Sequence, residues 1–461
     1  MIKSDTTVAA FERLTARFPD RLTTSEAVRH QHSNTLSLIA SQLPDCVIWA
    51  ETTQDVVDVV EIAREFGVPV VAFGTGTSLE GHVNAPRGGI CLDMSRMNAI
   101  GQTSPTDLDC TVEAGVTRRQ LNQHLRATGL FFSVDPGAAD ATLGGMAATR
   151  ASGTNTVRYG TMSENVLSLT AVMADGQVIE TGCRARKSSA GYDLTRLLIG
   201  SEGTLGIITA LTVRLHPVPD TIGAAVVPFQ TIEAACEGAL AAALTTATIA
   251  RIELVDALAI SAVNSHSGLA LAAMPTLFIE WHTTAPRASQ DATAIRDVLV
   301  RHGAKSFDWA EGIEARNRLW KARHDAFWAI RSTWPGKTPV VTDACVPVSR
   351  LAECIALTVA DIEACGFIAP IVGHIGDGNF HTVPMIDLSV AAEVVMVQGF
   401  LERLSVRAAA MGGTCSGEHG IGQGKMSALS HQAGRAVGVM RLIKNALDPN
   451  GILNPGKIFE T

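Results

Sequence analysis

Two short stretches of this sequence hold the residues best suited to chemistry. In residues 373–381, GHIGDGNFH, two histidines flank an Asp-Gly pair; in residues 416–422, SGEHGIG, a glutamate and a histidine sit side by side among glycines. An Asp-Gly between alternating apolar flanks is a strong signal for a two-residue hairpin turn. With Asp377 and Gly378 as that turn, His374 faces His381, Ile375 faces Phe380 and Gly376 faces Asn379. Directly opposed residues share a face with Cβ atoms roughly 5 Å apart, a spacing at which two imidazoles can hold one metal ion. The plainer reading is a pair of strand histidines hydrogen-bonded to their neighbours. Glu418 and His419 would point to opposite faces of a regular strand, but Gly417, Gly420, Gly422 and Gly424 predict an irregular loop. There Glu418 completes a His-His-Glu set, the three-ligand pattern of an open, catalytic metal site.

Three further glycine-rich clusters ask for a ligand. FGTGTSLEG, residues 73–81, follows a short β-branched run and resembles a nicotinamide-dinucleotide fingerprint, with Asp93 downstream as the acid. The fingerprint fails on context: Leu79 replaces the third glycine, and Pro86, Gly88 and Gly89 stand where a helix must begin. Backbone N–H groups of such a loop can still cradle a phosphate. In residues 135–166, Gly144, Gly145, Gly153 and Gly160 let a flat ligand lie against backbone, and Thr142, Ser152 and Arg158 offer hydrogen bonds. In residues 191–215 a Gly-Ser-Glu-Gly turn separates a helical run from a β-branched strand.

The elements that carry these loops follow from periodicity and caps. Thr52 with Asp55 and Thr117 with Gln120 mark helix starts, and Gly67 and Gly129 mark the stops. Residues 68–73 read as the strand delivering the first loop, and Asp175-Gly176 as another hairpin turn. The break at RLHPVPDT, after about residue 215, predicts a domain end. Residues 230–270 are Ala-rich with helical spacing, residues 311–331 read as one long amphipathic helix, and helical pattern resumes at 389–411. The final helix stops at Asp448-Pro449, before a loop at Asn454-Pro455-Gly456.

With 461 residues the chain has room for two or three domains. Its 37 basic and 45 acidic residues give a net charge of −8 with no basic run, which argues against nucleic acid or an anionic membrane as the main partner. Nine cysteines without paired spacing read as reduced thiols. The first residues carry charge where a signal peptide needs an apolar region, and no apolar stretch reaches the ~18 residues of a spanning helix. The expectation is a cytoplasmic protein with no transmembrane segment.

Taken together and in order, FGTGTSLEG, KSSAGYDLTRLLIGSEGTLGI, GHIGDGNFH, SGEHGIG and DPNGILNPGK resemble the FAD-linked D-lactate dehydrogenases of the vanillyl-alcohol-oxidase flavoprotein superfamily, close to the D-2-hydroxyglutarate dehydrogenases and the glycolate oxidase flavin subunit. The resemblance runs from about Pro44 to Phe459. It implies an α+β fold: an FAD-binding domain over residues 1–218, a substrate (cap) domain with an antiparallel sheet and flanking helices over 219–411, and a C-terminal segment, 412–461, returning to the flavin. It implies that Gly74, Thr75, Gly76, Thr77, Ser78 and Leu79 bind the FAD pyrophosphate. Pro136, Gly137, Thr142, Gly144, Gly145, Ser152, Gly153, Arg158 and Tyr159 would line the cofactor, with Glu202, Gly203 and Ile208 in the next contacting segment and Asn454 at the flavin edge. His374, His381 and Glu418 match the family's divalent-metal ligands (zinc or manganese), His419 its catalytic base, and Asn379 a substrate contact.

Two departures bear on the expectation. His82 follows the phosphate loop, but superfamily members linked covalently through this loop carry the histidine nearer Ser78, so noncovalent FAD is expected. The 2-hydroxyglutarate enzymes place a lysine where Val341 stands, and the lactate branch an arginine where Trp334 stands; Arg331, with Lys337 as the alternative, then takes over a carboxylate contact. The resulting expectation is metal-assisted oxidation of a small D-2-hydroxy acid, D-lactate first, to its 2-keto acid. 2-Hydroxyglutarate or glycolate are alternatives within the family and a zinc hydrolase is one from outside it. The electron acceptor stays unnamed, and a homodimer is allowed.

Overall fold

The computed structural model describes residues 5–33, 38–310 and 312–460. The chain divides into two units: one of residues up to Ser152, Gly160–Val218 and Glu418 onward, the other of Gly153–Tyr159 and Pro219–Gly417. The crossing at 218/219 follows the Pro-rich break in the sequence. The expected C-terminal segment differs: residues 412–417 belong to the second unit, and so does the short piece 153–159.

In the first unit, strands Cys46–Trp49, Ile90–Asp93 and Val70–Phe73 run parallel in that spatial order, with Leu22–Thr23 antiparallel at the edge. Helix Thr53–Phe66 makes the crossover. Thr52 accepts from the Asp55 N–H while the Asp55 carboxylate accepts from the Thr52 N–H, so aspartate closes the capping box as glutamate usually does. Val56, Val59, Val60 and Ala63 form its buried stripe, and Gly67 ends it in the left-handed region at φ 65°. A second sheet, wholly antiparallel, has the order Ile100–Ser104, Asp109–Glu113, Ile207–Arg214, Val166–Val172, Val178–Gly182. The C-terminal run returns to the parallel sheet, where Val70 bridges to Leu453 and accepts from the Asn454 N–H.

The second unit is built on a seven-stranded antiparallel sheet in the order Asp308–Trp309, Thr221–Pro228, Thr276–Thr283, Ile249–Val255, Ile371–His374, Asn379–Thr382, Ala344–Cys345. Side chains alternate across it. Ile252, Leu254, Leu277 and Ile279 face a core with helices Ile232–Ala243, Ala288–Arg301, Leu351–Cys365 and Ala391–Ala410. Val255 and Phe278 face the other core, under helices Ala257–Ser267, Gly312–His324 and Ala326–Thr333.

Two sequence expectations are corrected here. The Ala-rich stretch 230–270 is not helical throughout, because Ile249–Val255 is a central strand. Its Ile-Ala-Arg-Ile-Glu-Leu-Val alternates, and burial on both faces of the sheet outweighs the helical bias of its neighbours. The long helix read over 311–331 breaks at Asp325 into two, and its first residue, Glu311, lies outside the described residues.

Candidate active site

The histidines sit on the hairpin of the second unit, in a register different from the expected one. His374 pairs with Asn379 and Val372 with His381, so the connection is the four residues 375–378 and Asp377-Gly378 is only its second half. Gly378 is placed by close approach as well as by its φ of 86°: a Cβ there would lie 2.0 Å from the Val346 carbonyl oxygen. His374 and His381 are therefore diagonal neighbours, not opposed. They still share a face, because 372, 374, 379 and 381 all lie on it. Their ring centroids are 5.5 Å apart.

Each ring commits its Nδ1. For His374 that atom lies 2.8 and 2.9 Å from the two oxygens of Glu253, and for His381 it lies 2.8 Å from the Thr342 carbonyl oxygen. Burial pushes the Glu253 carboxyl up, but the charges of His374 and Arg323 more than reverse this, so it is held below the usual carboxylate range. A carboxylate and a carbonyl only accept, so Nδ1 carries the hydrogen in both rings and ligation falls to Nε2.

Glu418 follows the last loop of the same unit. That loop is fastened to the sheet edge by paired hydrogen bonds between Cys345 and Thr414 and by Ser416 donating to Asp343 at 2.8 Å. Glu418 is the next residue, and with His374 and His381 it makes a set of two imidazoles and one carboxylate that could hold a metal ion. Ser152 donates to Glu418 Oε2 at 3.2 Å. Two imidazole nitrogens and one carboxylate oxygen suit zinc or manganese.

Asn379 shares the histidine face. Its amide nitrogen donates to Asp343 at 2.8 Å and to the Ala344 carbonyl at 3.0 Å. Its buried amide oxygen has no hydrogen-bond partner among the described residues. Arg331, expected to bind a carboxylate, is exposed with its guanidinium over the Trp328 ring, and Lys337 is paired with Glu393. Arg323 approaches the histidine face, with its guanidinium 2.5 Å from Glu253.

In the first unit the loop from Gly74 to Leu79 leaves strand Val70–Phe73 and packs against Thr142, where a Cβ on Gly74 would lie 2.3 Å from the Thr142 hydroxyl. Thr142 caps helix Leu143–Thr149 by accepting from the Gly145 N–H, and Gly144 lies against Ala114 so closely that a Cβ would clash at 2.6 Å. Thr75, Thr77 and Gly137 are exposed, and Ser78, Leu79 and Pro136 half-buried. The buried hydroxyls of Ser78 and Ser201 have no partner among the described residues, as expected where a polar ligand completes the site. These loops fit a dinucleotide.

Several expected cofactor residues are engaged by the protein itself. Glu202, held at φ 55°, accepts from the N–H groups of Ile421 and Gly422 and faces His82 at 3.3 Å. Burial raises its carboxyl, but His82 and those N–H groups hold it below the ordinary range. Asn454 donates to the carbonyls of His82 and Glu202 and accepts from Lys457, so its amide ties the C-terminal run to the loop regions. Gly203 (φ 71°) follows Glu202, and Ile208 is buried in its strand. Gly153, Arg158 and Tyr159 belong to the second unit. There the Tyr159 hydroxyl lies 2.6 Å from His282 Nδ1, His282 Nε2 faces Glu280, and Arg158 stacks over the Tyr159 ring. His419 is half-buried between carboxylates, with Glu80 3.8 Å from Nδ1 and Glu418 4.0 Å from Nε2. Glu80, Glu253, Arg323 and Asp343 are the site residues that the sequence reading missed.

Two family models match the chain: an FAD binding domain over residues 44–182, and the C-terminal domain of FAD linked oxidases over 218–458. A protein described as a probable mitochondrial D-lactate dehydrogenase from Danio rerio is 45% identical, over 98% of this chain and 93% of that one. A mitochondrial D-lactate dehydrogenase [cytochrome] from Arabidopsis thaliana is 41% identical, over 95% and 78%. The glycolate oxidase subunit GlcD of Bacillus subtilis is 32% identical, over 96% and 94%. Among solved structures, p-cresol methylhydroxylase with substrate bound superposes with a TM-score of 0.82 at 18% identity, covering 99% of this chain and 97% of that one. The likeness to it is one of fold. No helix among the described residues is long and apolar enough to cross a membrane.

Proposed function

The chain belongs to the FAD-linked oxidases, and from that premise we propose that it oxidises D-lactate or a similar small D-2-hydroxy acid to the 2-keto acid. The observation that carries the reading is the pair His374 and His381 on one face of the hairpin, with both Nδ1 atoms already committed. FAD, held noncovalently by the loop 74–79 and the segments around Thr142 and Glu202, supplies a hydride acceptor when bound. A divalent ion held by His374, His381 and Glu418 supplies Lewis acidity toward carboxylate and hydroxyl oxygens. His419 takes the hydroxyl proton at Nε2, on the Glu418 side of its ring. Asn379 contacts the substrate from the histidine face, its amide nitrogen held by Asp343 and the Ala344 carbonyl.

Specificity for a monocarboxylate rests on Val341 and Trp334. A second carboxylate beside apolar side chains loses its hydration without gaining a counter-charge. For the electron acceptor we propose a cytochrome-type partner, on the description of the Arabidopsis relative. Anaerobic mixing with D-lactate tests the reading directly: bleaching of the flavin absorbance supports it, and a flavin untouched by any D-2-hydroxy acid overturns it.

A further inference from the structure

We propose that Glu253 is a positioning residue for His374: its carboxylate grips the ring at Nδ1 and so aims Nε2 at the metal position that the proposed function assigns to this histidine. The inference rests on the metal reading above. The sheet register sets up the pair. Leu254 lies opposite Gly373 and Val255 opposite Val372, so the next rung brings Glu253 across from His374 on one face. Both carboxylate oxygens reach the same ring nitrogen, at 2.8 and 2.9 Å, and the side chain is fully buried. Arg323 bonds one of these oxygens at 2.5 Å, which compensates the buried charge and fixes the carboxylate in turn.

The contrast with His381 explains why a side chain is needed. His381 lies within its strand and finds an acceptor in the carbonyl of Thr342, which is itself tied to Thr382. His374 is the last residue of its strand, where the chain enters the four-residue turn and the ladder ends. Its Nδ1 acceptor is the Glu253 side chain. Acceptors of this kind behind a ligating histidine are worth about 10–100-fold in metal affinity.

Two substitutions separate reach from charge. Glu253→Asp keeps the charge facing Arg323 but withdraws it from the ring by one methylene, whereas Glu253→Gln keeps the length and an accepting oxygen. Metal-stripped protein is titrated with Co²⁺, reading affinity and the visible absorption of the bound ion, with FAD content and melting temperature recorded alongside. Glu253→Asp is expected to bind Co²⁺ about 10–100-fold more weakly with an altered spectrum, and Glu253→Gln to stay near wild type in both. If Glu253→Gln melts early because Arg323 has lost its counter-charge, the double variant Glu253→Gln/Arg323→Gln takes its place. Wild-type affinity and spectrum in Glu253→Asp overturn the inference, and so does an equal loss in the glutamine variant. A wild-type protein that binds no Co²⁺ removes the metal reading beneath it, which is a distinct result.

Discussion

Gly417 passes Asn379 so closely that a Cβ on it would lie 2.3 Å from the amide nitrogen. The chain reaches Glu418 by skirting this side chain, so the proposed metal ligand and the proposed substrate contact are mechanically joined. Gly417→Ala should displace one or both while leaving the FAD loops alone. A shift of about 1 Å at reacting groups costs on the order of 10²-fold, and kcat/KM should fall by about that much with FAD stoichiometry unchanged. Unaltered kinetics would show that the close passage has no bearing on the site.

Chelation should abolish turnover and leave FAD bound, and Zn²⁺ or Mn²⁺ should restore activity. His374→Ala and His381→Ala should each lose the ion and the activity together, since two remaining protein ligands hold a catalytic metal poorly. Metal analysis beside flavin spectra checks this, and full activity in metal-free protein counts against the Lewis-acid role.

Acid precipitation should leave FAD in the supernatant. His82 is buried against Glu202, an arrangement that already gives its ring a partner within the protein. Flavin that stays with the pellet would mean a covalent link and reopen the question of His82.

Stopped-flow reduction should rank D-lactate above D-2-hydroxyglutarate and leave L-lactate inert. His419→Ala should slow flavin reduction by ~10²–10⁴ with FAD and metal retained, the usual worth of a positioned proton acceptor. Faster reduction by the dicarboxylate refutes the argument from Val341 and Trp334.

Asp256 gives a pH effect on stability that is separate from catalysis. It caps helix Ala257–Ser267, and burial raises its carboxyl to about 7 despite hydrogen bonds from backbone N–H groups. Its folded value stands above the unfolded one, so its contribution is complete below about pH 4 and fades as pH rises toward 7. Asparagine caps as well without ionising. Asp256→Asn should therefore gain melting temperature relative to wild type at pH 8 and show no such gain at pH 4. Parallel melting curves in both buffers decide the matter.

What could be read from the sequence was what is local. The box of Thr52 and Asp55 and the stop at Gly67 involve residues within one turn of each other, and the structure has them as read. The histidine pair was visible too, because a period of two keeps 374 and 381 on one face whether the connection is two residues or four. The error in register arose because a strong turn dipeptide can occupy the second half of a longer turn. Glu253 and Arg323 were hidden for a different reason. They meet His374 only through sheet order and helix packing, and alanine-rich neighbours on both sides masked the strand that carries Glu253.

The seven residues 153–159 belong to the second unit, although the stretches before and after them, Met1–Ser152 and Gly160–Val218, belong to the first. Asn155 receives a hydrogen bond from Arg251, and Tyr159 meets His282. A gene fragment beginning at Pro219 would encode the whole sheet and all its helices, yet leave these two partners behind. Grafting one enzyme's cap onto another's flavin portion is therefore not a matter of one cut and one splice. The heptapeptide has to travel with the cap it fits.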